Sequence, residues 1–220
     1  MRKVSKIEEL TLHGALTQDS FGRIRGAMAA LDDLQVNNGV IKLIKQFDAK
    51  RHFKPMGVRY KAAIIDYEGS PPFLIGIFLG KTLYFFHKGK STSHSQFFEC
   101  AFEVLWCLRH LYLFAFSDYE DVETEKMREF LQQEGRRQDL EFIDELQLIN
   151  LQNDSMPFQS LAEAILIAGY EGTFDPFMRD HKLIDHSFDL GMIDSVLAHN
   201  ENCLLNETLL FFEYLEKIKL

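Results

Sequence analysis

Neither a disulfide scaffold, nor a membrane span, nor an export signal is expected from this sequence. Its three cysteines, Cys100, Cys107 and Cys203, are too few for a disulfide scaffold in 220 residues. Cys100 and Cys107 fall on one predicted helix, ~10 Å apart at ~1.5 Å per residue, so they cannot bridge each other. A reduced, cytoplasmic protein is expected. No apolar segment follows Arg2 and Lys3, and the longest apolar stretch, 97–116, is broken by Glu99, Glu103, Arg109 and His110. With neither repeats nor low-complexity tracts, and with 46% apolar residues, the chain is expected to fold around a packed core.

Complete catalytic motifs are also missing. Gly89-Lys90-Ser91-Thr92 looks like the end of a phosphate-binding loop, but the early glycine of G-x-x-x-x-G-K-[ST] would fall at Tyr84, inside a predicted strand. Ser93 and Gln96 instead have the spacing of a capping box at a helix start. That start, beside Lys88, Lys90 and His94, could hold a simple anion. There is no G-x-S-x-G elbow, and the cysteines lie within helices rather than at their N-termini, where a thiolate is favoured. No cofactor is called for.

Charge is unevenly distributed. Residues 1–92 hold 15 Lys and Arg against 8 Asp and Glu, whereas residues 93–220 hold 9 against 25. Such asymmetry points to charged partners. The basic set runs from Arg23 to Lys61 and includes Arg51, Lys54 and Arg59, with Phe47, Phe53 and Tyr60 interleaved. It carries no nucleic-acid-binding motif. Residues 118–145 contain 11 acids and 4 bases, and helical spacing places Asp121, Glu125 and Glu129 on one face.

The periodicity predicts an α+β fold, mostly helical. "DSFGRIRGAMAALDDL" and "NNGVIKLIKQF" read as short amphipathic helices. "YKAAIID", "FLIGIFL" and "TLYFFH" read as a three-stranded antiparallel sheet at about 58–88, with Gly80-Lys81 as a two-residue hairpin turn. One long buried helix is expected over 94–117, covering the sheet. Gly135-Arg136-Arg137 marks a break between two acidic helices, and "FQSLAEAILIAG" reads as another helix. The expected division is an α+β core over 1–117 and an acidic helical part over 118–220, or one continuous domain.

Several clusters carry metal-ligand residue types. Cys100, Glu103, Cys107 and His110 share an arc of the long helix, but Cys100 and His110 are ~15 Å apart along its axis, so no single ion reaches both. In "FMRDHKLIDHSFD", His181, Asp185, His186 and Asp189 could hold a divalent ion, with Asp175, Asp194 and His199 nearby. Asp66 and Glu68 end the first of the three strands, as in nucleases that hold a metal on strand-end acids. The acid-x-Lys that continues that pattern on the adjacent strand is absent.

The leading expectation is a non-enzymatic regulatory protein that docks a protein partner through Asp121, Glu125 and Glu129 on one surface and Arg51, Lys54 and Arg59 on another. The alternatives are a metal-dependent phosphohydrolase built on the 180–189 cluster and a nucleic-acid-binding protein using the basic set 23–61.

Overall fold

A computed structural model describes residues 5–47, 60–154, 160–170, 175–177 and 182–218. Helices α1 (Lys6–Leu12) and α2 (Ser20–Asp33) precede strands β1 (Val40–Gln46), β2 (Ala62–Glu68), β3 (Leu74–Leu79) and β4 (Thr82–Lys88). Then come α3 (His94–Cys107), β5 (Tyr112–Ala115), α4 (Tyr119–Gln133), α5 (Arg137–Glu145), β6 (Leu148–Asn150) and α6 (Leu151–Asp154). Helices α7 (Leu161–Ile167), α8 (Lys182–Asp189) and α9 (Ile193–Ile218) follow.

The fold is α+β, but the sheet is larger than the sequence reading. It has six strands in the order β1-β4-β3-β2-β5-β6, not three, and it is mixed rather than antiparallel. β1, β4, β3 and β2 pair antiparallel, while β5 lies parallel to β2 and β6 parallel to β5. The β4–α3–β5 segment supplies the crossover that a parallel pair requires.

Two readings fail for identifiable reasons. "NNGVIKLIKQF" forms edge strand β1, not a helix. Its turn holds Asn38 and Gly39 at φ 57° and 78°, and Ile41, Leu43 and Ile44 are exposed, so their spacing reports no buried helical face. Lys42 instead reaches the end of α2, where its ammonium donates to the carbonyls of Leu31, Asp32 and Leu34 at 2.8–3.1 Å. The long helix stops at Cys107, not 117. Leu108 caps it, and Leu113, Phe114 and Ala115 continue as a strand that is as apolar as the helix.

β2, β3 and β4 are buried on both faces because the sheet lies between two helical layers. Ile64, Leu74, Phe78, Leu83, Phe85 and Phe114 pack against side chains of α1, α7 and α9. Ile65, Ile75, Ile77, Tyr84 and Phe86 pack against α2, α3 and α4. Alternation along each strand sends successive side chains to opposite layers, so the strands read as unbroken apolar runs. Burial of each such large side chain contributes ~1.5–3 kcal/mol. The capping box is present at α3: Ser93 Oγ accepts from the Gln96 N–H at 3.2 Å, and Gln96 Oε1 accepts from the Ser93 N–H at 2.8 Å.

Candidate active site

At β2 the strand order reverses. The chain leaves β2 for β3 and β4 on one side and returns through α3 to β5 on the other. At such a switch point the connections diverge and open a crevice beyond the carboxyl ends of the parallel strands. A cavity of about 320 Å³ lies there, bordered by the end of β2, the start of α4, and parts of α8 and α9.

Strand alternation aims Asp66 and Glu68 of β2 to the same side, toward α9, and both are buried. Glu120, 2% exposed, comes from the first turn of α4 and accepts from Ser117 Oγ at 3.3 Å. Helix α9 brings His199, Cys203 and Glu207 at intervals of four residues, along one face, with Asn200 beside them. Asn200 Nδ2 donates to Asp66 Oδ2 at 2.7 Å and to Glu68 Oε1 at 3.2 Å. This close approach depends on Gly76, which pairs with Asp66 in the sheet. A Cβ at residue 76 would lie 1.8 Å from Asn200 Oδ1 and 2.8 Å from Leu204 Cδ1.

The imidazole of His199 is held from one side. Its Nδ1 lies 2.7 Å from Asp175 Oδ1, and a carboxylate can only accept, so the proton sits on Nδ1. Nε2 then faces Glu68 at 3.5 Å and Cys203 Sγ at 3.6 Å. Glu68, His199 and Cys203 can each offer a ligand atom, all within 4.8 Å of one another.

Electrostatically the site is crowded with acid. Burial, and then the neighbouring charge of Glu68, push Asp66 well above the usual carboxylate range. Burial raises Glu68 to about 8 against the pull of its hydrogen bonds from Asn200 and Asp66. Glu120 is raised by burial and by Asp66, and Glu207 by burial and by Asp66, Glu120 and Glu68. Among the described residues, no Lys or Arg pairs with any of these four acids. Glu207 Oε2 and Asn200 Oδ1 are buried without a hydrogen-bond partner there.

Two chemistries can be weighed on this geometry. Cys203, His199 and Asp175 line up as nucleophile, base and orienting group. But burial and the nearby Asp66 and Glu68 hold the thiol well above its ordinary value, the reverse of what a nucleophilic cysteine needs. A divalent cation inverts the logic. It would draw protons off the carboxyls and turn their mutual repulsion into ligation. Asp66, Glu68 and Glu120 fit as oxygen ligands, and His199, with Nδ1 occupied by a carboxylate, has the orientation found in metal-bound or base imidazoles.

The residues singled out from sequence are scattered. Asp121, Glu125 and Glu129 are exposed along α4, where Arg128 pairs with Glu125 and Asp144. Arg51, Lys54 and Arg59 lie outside the described residues, as does His181. On α8, Asp185, His186 and Asp189 are exposed; Asp185 lines the cavity, and His186 and Asp189 do not. His110 falls beyond the end of α3, away from the arc of Cys100, Glu103 and Cys107, and burial raises Cys100 to about 12. Sequence reasoning missed Glu120, Asn200, Cys203 and Glu207 as a site. The signal available was the stripe His199, Cys203, Glu207, set beside the Asp66-x-Glu68 pair.

No protein-family model matches the chain, and no curated protein or solved structure matches it.

Proposed function

We propose that the chain is a divalent-cation-dependent hydrolase of phosphoester bonds. The observation that carries this reading is the convergence of Asp66, Glu68 and Glu120 from two separate elements on one cavity, with Glu207 of α9 buried close to all three and His199 Nε2 3.5 Å from Glu68. A carboxylate-rich set favours hard cations such as magnesium or manganese. A cation held by these carboxylates would stabilise the charge that develops on the oxygens of a phosphoester displacement. His199 is placed to accept a proton from the attacking water, with Asp175 stabilising the imidazolium that results. Asn200 orients Asp66 and Glu68. The strand-end acids thus find their partners on α4 and α9 rather than on the adjacent strand.

The test uses protein stripped with chelator and then supplied with magnesium or manganese. The substrates are a phosphodiester, a phosphomonoester, a single-stranded oligonucleotide and a carboxylic ester. Hydrolysis of at least one phosphoester, absent without the cation and restored by it, is the expected result. Tightly held zinc with cleavage of the carboxylic ester alone would replace the carboxylate site with a Glu68–His199–Cys203 zinc site. No hydrolysis with any cation would end the enzymatic reading.

A docking role is a second reading, favoured by the exposure of Asp121, Glu125 and Glu129 on α4. Reversing all three to Lys is expected to leave thermal stability nearly unchanged, because exposed ion pairs contribute only about 0–1 kcal/mol. Capture of a basic protein partner at low salt should slow markedly. An unchanged association rate would reduce this face to a solubilising one.

A further inference from the structure

A second and larger cavity, about 730 Å³, lies at the other end of the parallel strands. It is bordered by Lys61 ahead of β2, Tyr112 at the start of β5 and Gln147 ahead of β6, with Arg109 and His110 from the turn after α3. The length of β2 separates it from the carboxylate cluster by about 20 Å at ~3.3 Å per residue. Its charge is of the opposite sign.

Several positive groups line this cleft. The Lys61 ammonium sits 5.3 Å from the centre of the Tyr112 ring, and no carboxylate pairs with it among the described residues. Arg109 stacks on Trp106 at 5.0 Å from the ring centre and donates to the Trp106 carbonyl at 2.7 Å. Arg23 adds a third cation; it pairs at 3.2 Å with Asp19, whose charge partly offsets the effect of Arg23 on Lys61. Burial and then Arg23 push Lys61 below the ordinary lysine range, and burial followed by Arg109, Arg23 and Lys61 does the same to His110. Cations crowded in this way repel one another until an anion sits among them. Helix α5 also lines the cleft, through Glu141, Glu145 and Phe142, whose ring packs edge-on against Trp106 at 4.8 Å between centres.

We propose that this cleft binds a small phosphorylated ligand that carries an aromatic ring. Lys61, Arg23 and Arg109 surround the phosphate, and Trp106, Tyr112 and Phe142 provide aromatic walls for the ring. The volume lies well within the ~300–1,000 Å³ of small-ligand sites and exceeds what a bare phosphate fills. Glu141 and Glu145 argue against a long nucleic acid strand, whose further phosphates would meet them. Charge-assisted hydrogen bonds to phosphate supply the affinity, and the ring contacts supply selectivity.

Trp106 is the single tryptophan of the chain, so its fluorescence reports on this cleft alone. The probe is adenosine monophosphate, with adenosine and inorganic phosphate as its two halves, titrated into the full chain by fluorescence and calorimetry. Chelator is present in one series and magnesium in another. The monophosphate is expected to bind about tenfold or more tighter than either half, with and without the cation. Lys61→Gln should weaken it by about tenfold or more, as the loss of a charge-assisted bond implies. Arg23→Gln, a change at a half-buried position outside the buried core, should weaken it in the same direction if less. Equal binding of adenosine and its monophosphate, or unchanged affinity in both variants, would overturn the proposal. Binding that requires magnesium would assign the ligand to the carboxylate site instead. Affinity that climbs with each nucleotide added to an oligomer would make the occupant a nucleic acid strand.

Discussion

Replacing Asp66 by Asn is expected to abolish cation-dependent hydrolysis while making the metal-free protein more stable. The carboxyl is buried among Glu68, Glu120 and Glu207 with no Lys or Arg paired to it among the described residues. An amide keeps the shape and can still accept from Asn200, but it removes one member of a mutually repelling set. Loss of one electrostatic stabiliser of a transition state costs roughly a hundredfold to a thousandfold in rate. Relief of buried, uncompensated acid should raise stability by roughly 1–3 kcal/mol. Opposite signs in the two measurements are what mark a functional acid, because a merely structural one would lose stability on replacement.

The same crowding sets a pH dependence. Glu68 rises from an ordinary 4.5 to about 8 on folding, so between those values the folded chain holds a proton that the unfolded chain has released. The stability linked to that proton is complete below about pH 4.5 and lost as pH climbs through about 8. Thermal midpoints of metal-free protein should therefore fall across that window. Saturating magnesium, which binds the ionised form, should flatten the decline. A metal-free midpoint that stays level from pH 5 to 8 would contradict a dry acid cluster.

The other large effect is expected at Gly76. Alanine there would place its methyl carbon against the Asn200 amide and Leu204. Asn200 is tied to Asp66 and Glu68 and cannot retreat without breaking those bonds. Overpacking of this kind costs about 1–3 kcal/mol, or ~2–4 °C of thermal midpoint per kcal/mol in a chain of this size. Gly76→Ala should also reduce cation affinity, since the amide that orients both acids is displaced. In an Asn200→Ala background the same change should cost much less, giving a clear coupling between the two residues. Simple additivity of the two substitutions would mean that Asn200 is free to move, and that Gly76 has another role.

Parts of this architecture are legible in the residues. β3 and β4 are recognisable because aromatic and β-branched runs flank a two-residue turn whose glycine takes φ 65°. The start of α3 is legible from Ser93 and Gln96, and the end of α4 from Gly135 at φ 70°. What escapes are elements whose local pattern is ambiguous. Val40, Ile41, Leu43 and Ile44 satisfy a helical spacing but pair with β4. Leu113 to Ala115 extends an apolar run in which only Arg109 and His110 mark the change from helix to strand. The site is harder still. Asp66 and Glu68 stand out as strand-end acids, but their meaning depends on Glu120 and on four residues of α9, and no local rule brings those side chains together.

The pairing of Asn200 with Asp66 spans 134 positions of chain. No contiguous fragment that stops short of α9 contains the acid cluster with its amide, imidazole and thiol, even though such a fragment can hold every strand of the sheet. Contacts of that separation form against the full entropy of loop closure. Cation affinity is therefore a probe of completed topology: a folding intermediate with the sheet in place and the last helix undocked would be structured by most spectroscopic measures and yet blind to metal.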